Sequence, residues 1–506
     1  MSDTPVPEST VRVPVDTAVD ATRDTRDTER ETTSRRDNLV ILVLIVSAFT
    51  VILNETIMGV AIPHLMEDLD ITAVDAQWLT AAFLLTMAIV IPITGWLLQR
   101  FPTRPLYLGA MGTFVGGTAL AALAPGFEVL LLARVIQATG TAVMLPLLMT
   151  TVISLVPEHE RGKRMGTIGL VISVAPALGP TISGIILQFL PWRYLFVFVL
   201  PVAVTVLVFG LLKMRSTNET RPAPLDVLSV LLAAVGFGSL VFGLSQIGES
   251  AEGNLAAALG FVAVGVIVTT IFALRQIALQ KRDAPLLDLR VFRERTFSVA
   301  TAMFIVAMMA LFGTIILVPL FTQGVLELSV LQTGLMLLPG GLLMGLMARP
   351  VGRLYDRIGP RPLLIPGTAL VAAALWILAL SLSTATRPWM IVACHLTLSA
   401  GLALIFTPLF TASLGSLPHH LYSHGSATIS TLQQVAAAAG TALFVSTMTA
   451  VAVTQVDAGA AEAAAQAAGI RTAFLVGAVL ATVGIGLATL IRRPQKVDGQ
   501  APVAAH

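Results

Sequence analysis

Fourteen long apolar stretches run through this chain, and they limit its fold more than any other feature of the sequence. A helix that crosses a bilayer needs about 20 mostly apolar residues. Only 12% of the residues are charged and 56% are hydrophobic, whereas soluble domains carry about 25% charged residues. The sequence therefore predicts an all-α polytopic membrane protein. The predicted spans are 39–62, 77–98, 105–124, 128–150, 165–189, 192–212, 226–247, 255–275, 297–322, 332–352, 362–382, 388–411, 424–452 and 471–491.

The positions of lysine and arginine test this count, because cytoplasmic loops of membrane proteins hold an excess of both. Nearly all of the 31 basic residues fall before the first span, after the last span, or in every second loop. The loops of opposite parity hold only Arg193, Arg387 and Arg471, and Arg134 lies within a span. We expect fourteen crossings with both termini in the cytoplasm. The polar segments 1–37 and 494–506 are predicted to be cytoplasmic tails, the first of them disordered.

An internal repeat divides the rest of the chain. The segment GWLLQRFPTRPL starts at Gly95, and GRLYDRIGPRPL starts at Gly352. Both segments close a span, the second and the tenth. The repeat predicts one six-helix half at 38–213, another at 297–493, and two inserted helices with their linkers at 214–296. Many secondary transporters are built from two such halves, with the substrate path between them near the midplane.

Several function classes lack the residues that they need. A net charge of +2 gives no indication of a nucleic-acid partner, and a single cysteine, Cys394, allows neither an internal disulfide nor a metal site. No phosphate-binding G-x-x-x-x-G-K-[ST] loop occurs, which argues against a primary pump, although an ATPase subunit on another chain stays open. A membrane-embedded enzyme would need a cluster of catalytic polar residues at one depth. We expect no enzyme, no cofactor and no metal.

Only Glu55 and Arg134 are ionisable and lie well inside predicted spans, where charge is costly. Counted from the predicted external ends of their spans, both lie about 9–10 Å deep. One interpretation is a proton site, with Glu55 taking the proton and Arg134 adjusting its affinity. The alternative is a structural ion pair between packed helices.

Other polar residues allow similar pairs of interpretations. Asp226, at the start of the seventh span, is either a coupling acid or a helix N-terminal residue that stabilises the helix dipole. Gln433, Gln434 and His395 either contact substrate or fill polar gaps between helices. His419, His420 and His424 are predicted to lie in a solvated cytoplasmic loop.

Small and helix-breaking residues suggest moving parts. Two stripes in the fifth span predict a hinge and a close contact between halves, or simply tight packing: Pro176, Pro180 and Gly184, with Ala175, Gly179 and Ser183. Two short basic loops have two interpretations: they act as gates, or their charges only reflect the excess of basic residues in cytoplasmic loops. Their residues are Gly95, Arg100, Arg104, Gly352, Asp356, Arg357 and Arg361.

Together these motifs resemble the major facilitator superfamily, in its fourteen-span drug:proton antiporter branch. The resemblance covers nearly all of the chain beyond residue 37. It rests on Leu53 to Ile57 with Ala61-Ile62-Pro63, on Gln77-Trp78, on Gly95 to Arg104, on Arg134, Gln137 and Gly140, and on Gly169 with Pro176, Gly179, Pro180 and Gly184.

The resemblance implies a major facilitator fold and a proton-coupled exporter of small hydrophobic, cationic or zwitterionic compounds, such as antibiotics and dyes, that works by alternating access. Asn54 and Gln137 would then lie at the cavity. The protein would be a monomer in a bacterial inner membrane, and its partners would be substrate, protons and lipid. An exporter of one endogenous metabolite and an importer on the same fold are the alternatives.

Two positions depart from that family pattern. Asn54 replaces the usual acid of the first-span signature, and Glu55 stands next to it. Gln99 replaces the acid of the first cytoplasmic loop motif, whereas Asp356 keeps it in the second half. The first departure makes Glu55 the candidate proton carrier. The second predicts that the contact that closes the cytoplasmic side of the first half is weaker, or is made by other groups.

Overall fold

A computed structural model of the chain describes residues 15–71, 73–157, 160–216, 220, 224–249, 255–282 and 284–491, without the side chains of residues 15–35 and of some other helical positions. Within this part the protein is all-helical, with fourteen α-helices in chain order. They are α1 Val15–Leu69, α2 Ala73–Arg100, α3 Thr103–Ala122, α4 Phe127–Leu155, α5 Arg161–Phe189, α6 Arg193–Lys213, α7 Val227–Glu249, α8 Leu255–Gln280, α9 Arg295–Gly324, α10 Val330–Ile358, α11 Arg361–Ser381, α12 Pro388–Gly415, α13 Tyr422–Asp457 and α14 Glu462–Leu490.

Each predicted span coincides with one of these helices, apart from longer ends on several of them. Among the described residues, thirteen helices are long and apolar enough to cross a membrane. The helix outside that set is α5, several of whose side chains lie outside the description. The all-α membrane fold is confirmed, and the count of fourteen crossings stays a prediction.

The first helix is longer than the sequence suggests. It begins at Val15 and so runs through most of the segment that we expected to be disordered. Nucleation is the costly step of helix formation, so a stable span can extend a helix into a polar flank at little further cost. The division of the chain into tails, halves and insertion remains a prediction.

Two six-helix groups pack side by side. In the first group α1 contacts α4, α5 and α6, while α3 packs on α4 and α6; in the second, α9 contacts α12, α13 and α14, while α11 packs on α12 and α14. The groups meet along two seams: the α5–α10 seam and the α2–α13 seam. The inserted hairpin α7–α8 lies against the second of these seams, because α7 packs on both α2 and α13.

Glycine permits the closest of these contacts within a half. A Cβ on Gly140 of α4 would overlap the carbonyl oxygen of Ala110 on α3 and would lie 2.9 Å from the backbone nitrogen of Phe114. Lipid tails give helices no hydrophobic reason to associate, so close backbone packing carries much of the stability of a membrane bundle.

The internal repeat has a structural counterpart at the starts of α3 and α11. Arg104 donates a hydrogen bond to the carbonyl of Leu211, near the end of α6, at 2.9 Å. Arg361, its partner in the repeat, donates to the carbonyls of Thr489 and Ile491 at the end of α14, each at 2.6 Å. Both arginines thus pair with the orphan carbonyls of the sixth helix in their own half. These bonds do not join the two halves.

We expect Gly140→Ala to destabilise the protein by about 1–3 kcal/mol, because the added methyl group forces α3 and α4 apart. Gly116→Ala is the matched control, since a Cβ there meets no atom within 4 Å. The melting temperature of the purified protein in detergent tests the difference. Equal melting temperatures for the two variants would contradict the proposed packing of α3 on α4.

Candidate functional site

Glu55 lies in the apolar part of α1 and is partly exposed, whereas Arg134 on α4 is fully buried. Their charges interact, yet the two side chains, both of them described, form no salt bridge within 4.0 Å. The arrangement differs from a closed structural ion pair. It leaves the carboxyl group of Glu55 free to meet another charge while Arg134 remains nearby.

Arg134 is held in place by neighbours other than Glu55. Its guanidinium donates to the side-chain oxygen of Gln137 at 3.1 Å and to the carbonyl of Leu79 at 3.4 Å. It also lies 4.0 Å from the ring centre of Phe83. Gln137 in turn donates to Thr118 of α3 at 3.0 Å. Gln137 therefore positions the cation from a buried site. We had expected this residue at an open cavity.

Asn54 and Thr56 flank Glu55 and point to different surroundings. Asn54 is only 2% exposed, and its side-chain nitrogen has no hydrogen-bond partner. Thr56 contacts α5 so closely that a Cβ on Gly179 would overlap its side chain. Glu55 is thus partly exposed, like Thr56, but it is the one of the three that can carry a charge. Asn54, which we expected at the cavity, is packed between helices.

The small residues of α5 follow its path along three neighbours. Gly169 lies near Thr407 of α12 and Ala348 of α10, and Gly179 lies against α1. A Cβ on Gly184 would meet no atom within 4 Å, so nothing packs closely on the Gly184 face of α5, whereas the neighbouring Ser183 is buried. Pro176 and Pro180 lie in this helix, but their side chains fall outside the description. The hinge role of this stripe stays a prediction.

The two halves are closed on one another at the basic end of the bundle, which we define by Arg100, Arg164 and Arg357. On the α5–α10 seam, Gly352 and Gly162 are in backbone contact that leaves no room for a Cβ on either. Asp356 of α10 accepts hydrogen bonds from the backbone nitrogens of Gly162, at 2.8 Å, and Lys163, at 2.9 Å. A carboxylate on the first N–H groups of a helix is favoured by hydrogen bonding and by the helix dipole. We call this arrangement the Asp356 lock.

The other residues that we predicted for the gates do not all lie at contacts between the halves. Arg100 and Arg357 are exposed at the ends of α2 and α10. Gly95 is buried on the α2–α13 seam, where a Cβ would lie 3.1 Å from Nδ1 of His424. Of these sequence candidates, Asp356, Gly352 and Gly95 thus lie at contacts between the halves.

Sequence reasoning missed the counterpart of the Asp356 lock on the α2–α13 seam. Nε2 of Gln99 lies 2.7 Å from Nε2 of His424 and 3.4 Å from the carbonyl oxygen of His420. His424 is 2% exposed and belongs to α13, so the expectation that it lies in a solvated loop is wrong. The repeat was the available signal, because it pairs Gln99 with Asp356 and so marks α13 as the partner of α2.

The remaining polar candidates are scattered. Gln434 reaches across the seam to the sulfur of Met87 on α2 at 3.8 Å, and Gln433 is partly exposed beside it. His395 of α12 is buried against Gly340 of α10, and its Nδ1 has no hydrogen-bond partner. His395 thus packs within the second half, while Gln434 belongs to the contact between halves.

Asp226 precedes α7 and forms part of the inserted hairpin. Arg275 of α8 donates to both of its carboxylate oxygens, at 2.7 and 2.8 Å, and the backbone nitrogen of Ser229 donates at 3.2 Å. These hydrogen bonds, led by those from Arg275, hold the pKa of Asp226 down to about 2. A group that stays ionised across the physiological range takes up no proton. The geometry favours the structural alternative for Asp226.

Comparisons with known proteins agree with this architecture. The family model described as Major Facilitator Superfamily matches residues 44–441. The uncharacterized MFS-type transporter YcnB of Bacillus subtilis is 40% identical over 92% of this chain and 97% of its own. The lincomycin resistance protein LmrB of the same organism is 39% identical over 91% of this chain and 96% of its own. A multidrug resistance protein B homolog of Mycobacterium tuberculosis is 29% identical over 77% and 72%.

Two solved structures share the fold. The human organic anion transporter MFSD10 superposes with a TM-score of 0.64 at 16% identity, covering 89% of this chain and 99% of that one. The proton:xylose symporter XylE superposes with a TM-score of 0.60 at 14% identity, covering 91% and 97%. At these identities the likeness shows the arrangement of helices alone.

We expect Asp356→Asn to loosen the basic end of the α5–α10 seam, because a neutral amide is a weaker acceptor than a carboxylate for the N–H groups of α5. A loss of about 1 kcal/mol corresponds to roughly a fivefold gain in opening. A cysteine replacing Ala348, which is 3% exposed and packs on Gly166, reports opening through its rate of maleimide labelling. Arg357→Gln is the control, and an equal gain in that variant would contradict the Asp356 lock.

Proposed function

Because the chain belongs to the major facilitator superfamily, and is therefore a transporter and not an enzyme, we propose that it is a proton-coupled drug exporter. In this proposal it moves small hydrophobic, cationic or zwitterionic compounds by alternating access. The observation that carries the proposal is Glu55 itself, a partly exposed residue in the apolar part of α1 whose charge interacts with that of the buried Arg134.

Glu55 couples proton and substrate because the two compete for its charge. Deprotonated, Glu55 attracts a cationic group of the substrate from the cytoplasmic side. Protonation from the outside removes that charge and favours release. Arg134 does not neutralise Glu55 permanently, since Gln137, Leu79 and Phe83 hold it in place. The cycle requires that the substrate bind the two states unequally, because a ligand with equal affinity for both shifts no equilibrium.

Alternating access needs gates whose contacts form in one conformational state and are broken in the other. The Asp356 lock and the contact of Gly352 with Gly162 close the basic end of the α5–α10 seam. At the opposite ends of these helices, Phe189 is 74% exposed and Leu335 is 57% exposed. We assign this conformation to the state in which the basic gate is shut. Close packing of α5 on α1 at Gly179 would transmit its movement to the segment that carries Glu55.

The protein is a multi-pass membrane protein, and we propose that its basic end faces the cytoplasm of a bacterium. The excess of lysine and arginine in every second loop supports this orientation. Both termini then lie in the cytoplasm. We propose that the transporter works as a monomer, since each half supplies one side of both seams.

We propose a substrate class that the site and the relatives support. A single carboxyl group within apolar walls suits amphipathic compounds that carry one positive charge, and such membrane acids commonly mark transport pathways. Relatives at about 39% identity are named for lincomycin resistance. We therefore propose antibiotics of this kind and cationic dyes as substrates. Export of one endogenous metabolite and import on the same fold are the competing functions.

Glu55→Gln tests coupling, because glutamine mimics the protonated carboxyl group and keeps its shape. We expect gradient-driven uptake of lincomycin and of a cationic dye into inverted vesicles to fall to the level of vesicles without the protein. Exchange that needs no gradient should persist. The measurement uses an imposed pH gradient, with equal amounts of protein in each membrane.

Glu128→Gln is the matched control, since Glu128 is an exposed carboxyl group in the first turn of α4. It should transport like the parent. Full gradient-driven transport by Glu55→Gln would overturn the assignment. A parent that moves lincomycin or dye inward in intact cells would support the importer instead.

Topology is tested with single cysteines in a Cys394→Ser background. A cysteine at Lys281, at the basic end after α8, should resist a membrane-impermeant maleimide in intact cells. A cysteine at Asp457, at the end of α13, should react. The reverse pattern would overturn the orientation, and reaction at both positions would overturn the alternation of spans.

A further inference from the structure

His424 is a buried titratable group for which the coupling mechanism has no use. It lies in the first turns of α13, on the α2–α13 seam, with 2% of its surface exposed. Gln99 of α2 reaches it across the boundary between the halves, with the two Nε2 atoms 2.7 Å apart. His424 thus takes part directly in closing this seam.

The second contact of Gln99 fixes the direction of the hydrogen bond. The same Nε2 of Gln99 lies 3.4 Å from the carbonyl oxygen of His420, which can only accept. The amide nitrogen therefore points toward both partners and donates to both. Nε2 of His424 must then be an unprotonated acceptor, so the ring is neutral and carries its hydrogen on Nδ1.

A protonated ring does not fit this contact. Both of its nitrogens would be donors, and Nε2–H would oppose the NH₂ group of Gln99 as it stands. Turning the amide to present its oxygen to Nε2–H would bring that oxygen against the carbonyl oxygen of His420. Nδ1 has no hydrogen-bond partner, and it faces the position where Gly95 lacks a side chain.

The charged groups around His424 give its cation no free partner. His420 and Arg290 face it with positive or potentially positive charge. Asp288 opposes them, but it is paired with Arg290 at 2.7 Å. From α5, the guanidinium of Arg161 lies over the ring of Tyr422 at 5.9 Å and adds a further positive charge to this region.

The internal repeat shows what this contact replaces. Asp356 of α10 locks the first turn of α5, and its repeat partner Gln99 of α2 meets the first turns of α13. One seam is therefore held by a carboxylate on backbone N–H groups. The other is held by a neutral amide on a neutral histidine, and a proton at its centre turns the acceptor nitrogen into a donor.

We propose that His424 is a second proton-binding site of this transporter, and that the α2–α13 seam closes at the basic end only while His424 is neutral. The proposal rests on the exporter function and adds regulation to it. The closed seam is stable above the pH at which His424 titrates and is lost as the pH falls through that range. An acid cytoplasm would hold the gate open and so slow the cycle that brings protons in.

The test measures opening of the seam without substrate or gradient, in the purified full-length chain with Cys394→Ser. The reporter is a cysteine at Ser430, which is 7% exposed. Ser430 lies one turn from Ser426 and one turn from Gln434, and these two side chains bond to Pro146 and Met87 of the other half. Its maleimide labelling is divided at each pH by that of a cysteine at the exposed Lys281, which corrects for thiol ionisation.

The expected size of the effect is set by the opened seam, where the ring of His424 meets water as an ordinary histidine does. Between pH 7.5 and pH 5.5 the protonated fraction of an ordinary histidine rises about tenfold. We expect the corrected labelling of the Ser430 cysteine to rise by about the same factor. With His424→Gln, which stays neutral, labelling should not change with pH. With Gln99→Glu, whose carboxylate pairs with a protonated histidine, labelling should fall as the pH falls.

Either of two outcomes would overturn the proposal: a parent whose labelling is independent of pH, or a His424→Gln variant with the same pH response as the parent. Should His424→Gln fail to fold, Gln99→Glu decides alone, and an unreversed pH response in it counts against the proposal. Glu55→Gln in the same background should keep the pH response of the parent. Failure of the coupling assignment at Glu55 therefore remains distinguishable from failure of the His424 site.

Discussion

The absence of water inside the bilayer is the constraint on which the rest of this structure depends. It forces the backbone into helices that satisfy their own hydrogen bonds, and it makes every polar side chain at depth expensive. Helices can then associate closely only where small residues let backbones touch, as at Gly140 and at Gly352 with Gly162. The few charged groups inside the described spans, such as Glu55 and Arg134, stand out as candidates for function.

The two seams are related by the repeat but close by different chemistry. Asp356 binds two backbone N–H groups of α5, and such a contact draws strength from its charge and from the helix dipole. Gln99 and His424 form a bond between neutral groups, which is weaker and sensitive to a proton. A transporter with two such seams can therefore have one gate that depends on the charge of a carboxylate and one that depends on a histidine being neutral.

The hairpin α7–α8 packs against the α2–α13 seam. Phe237 and Phe272 join its two helices with ring centres 5.8 Å apart, and Trp78 of α2 stacks on Phe242 of α7 at 5.6 Å. The linker after α8 is fixed as well, since Gln276 accepts hydrogen bonds from the backbone nitrogens of Leu286 and Leu287. The hairpin and its linker thus cover the α2–α13 seam, where His424 lies.

The sequence alone determined the membrane class, the helix positions, the repeat and the rarity of charge at depth, because apolar length and residue spacing record them directly. It could not decide which polar side chains meet. Gln137 and Asn54 are packed between helices, Asp226 is paired with Arg275, and His424 is buried beside Gln99. The contact of Gln99 with His424 joins residues 325 positions apart in the chain. Such contacts depend on how helices rotate and cross, which is set by packing between surfaces and leaves no local pattern in the sequence.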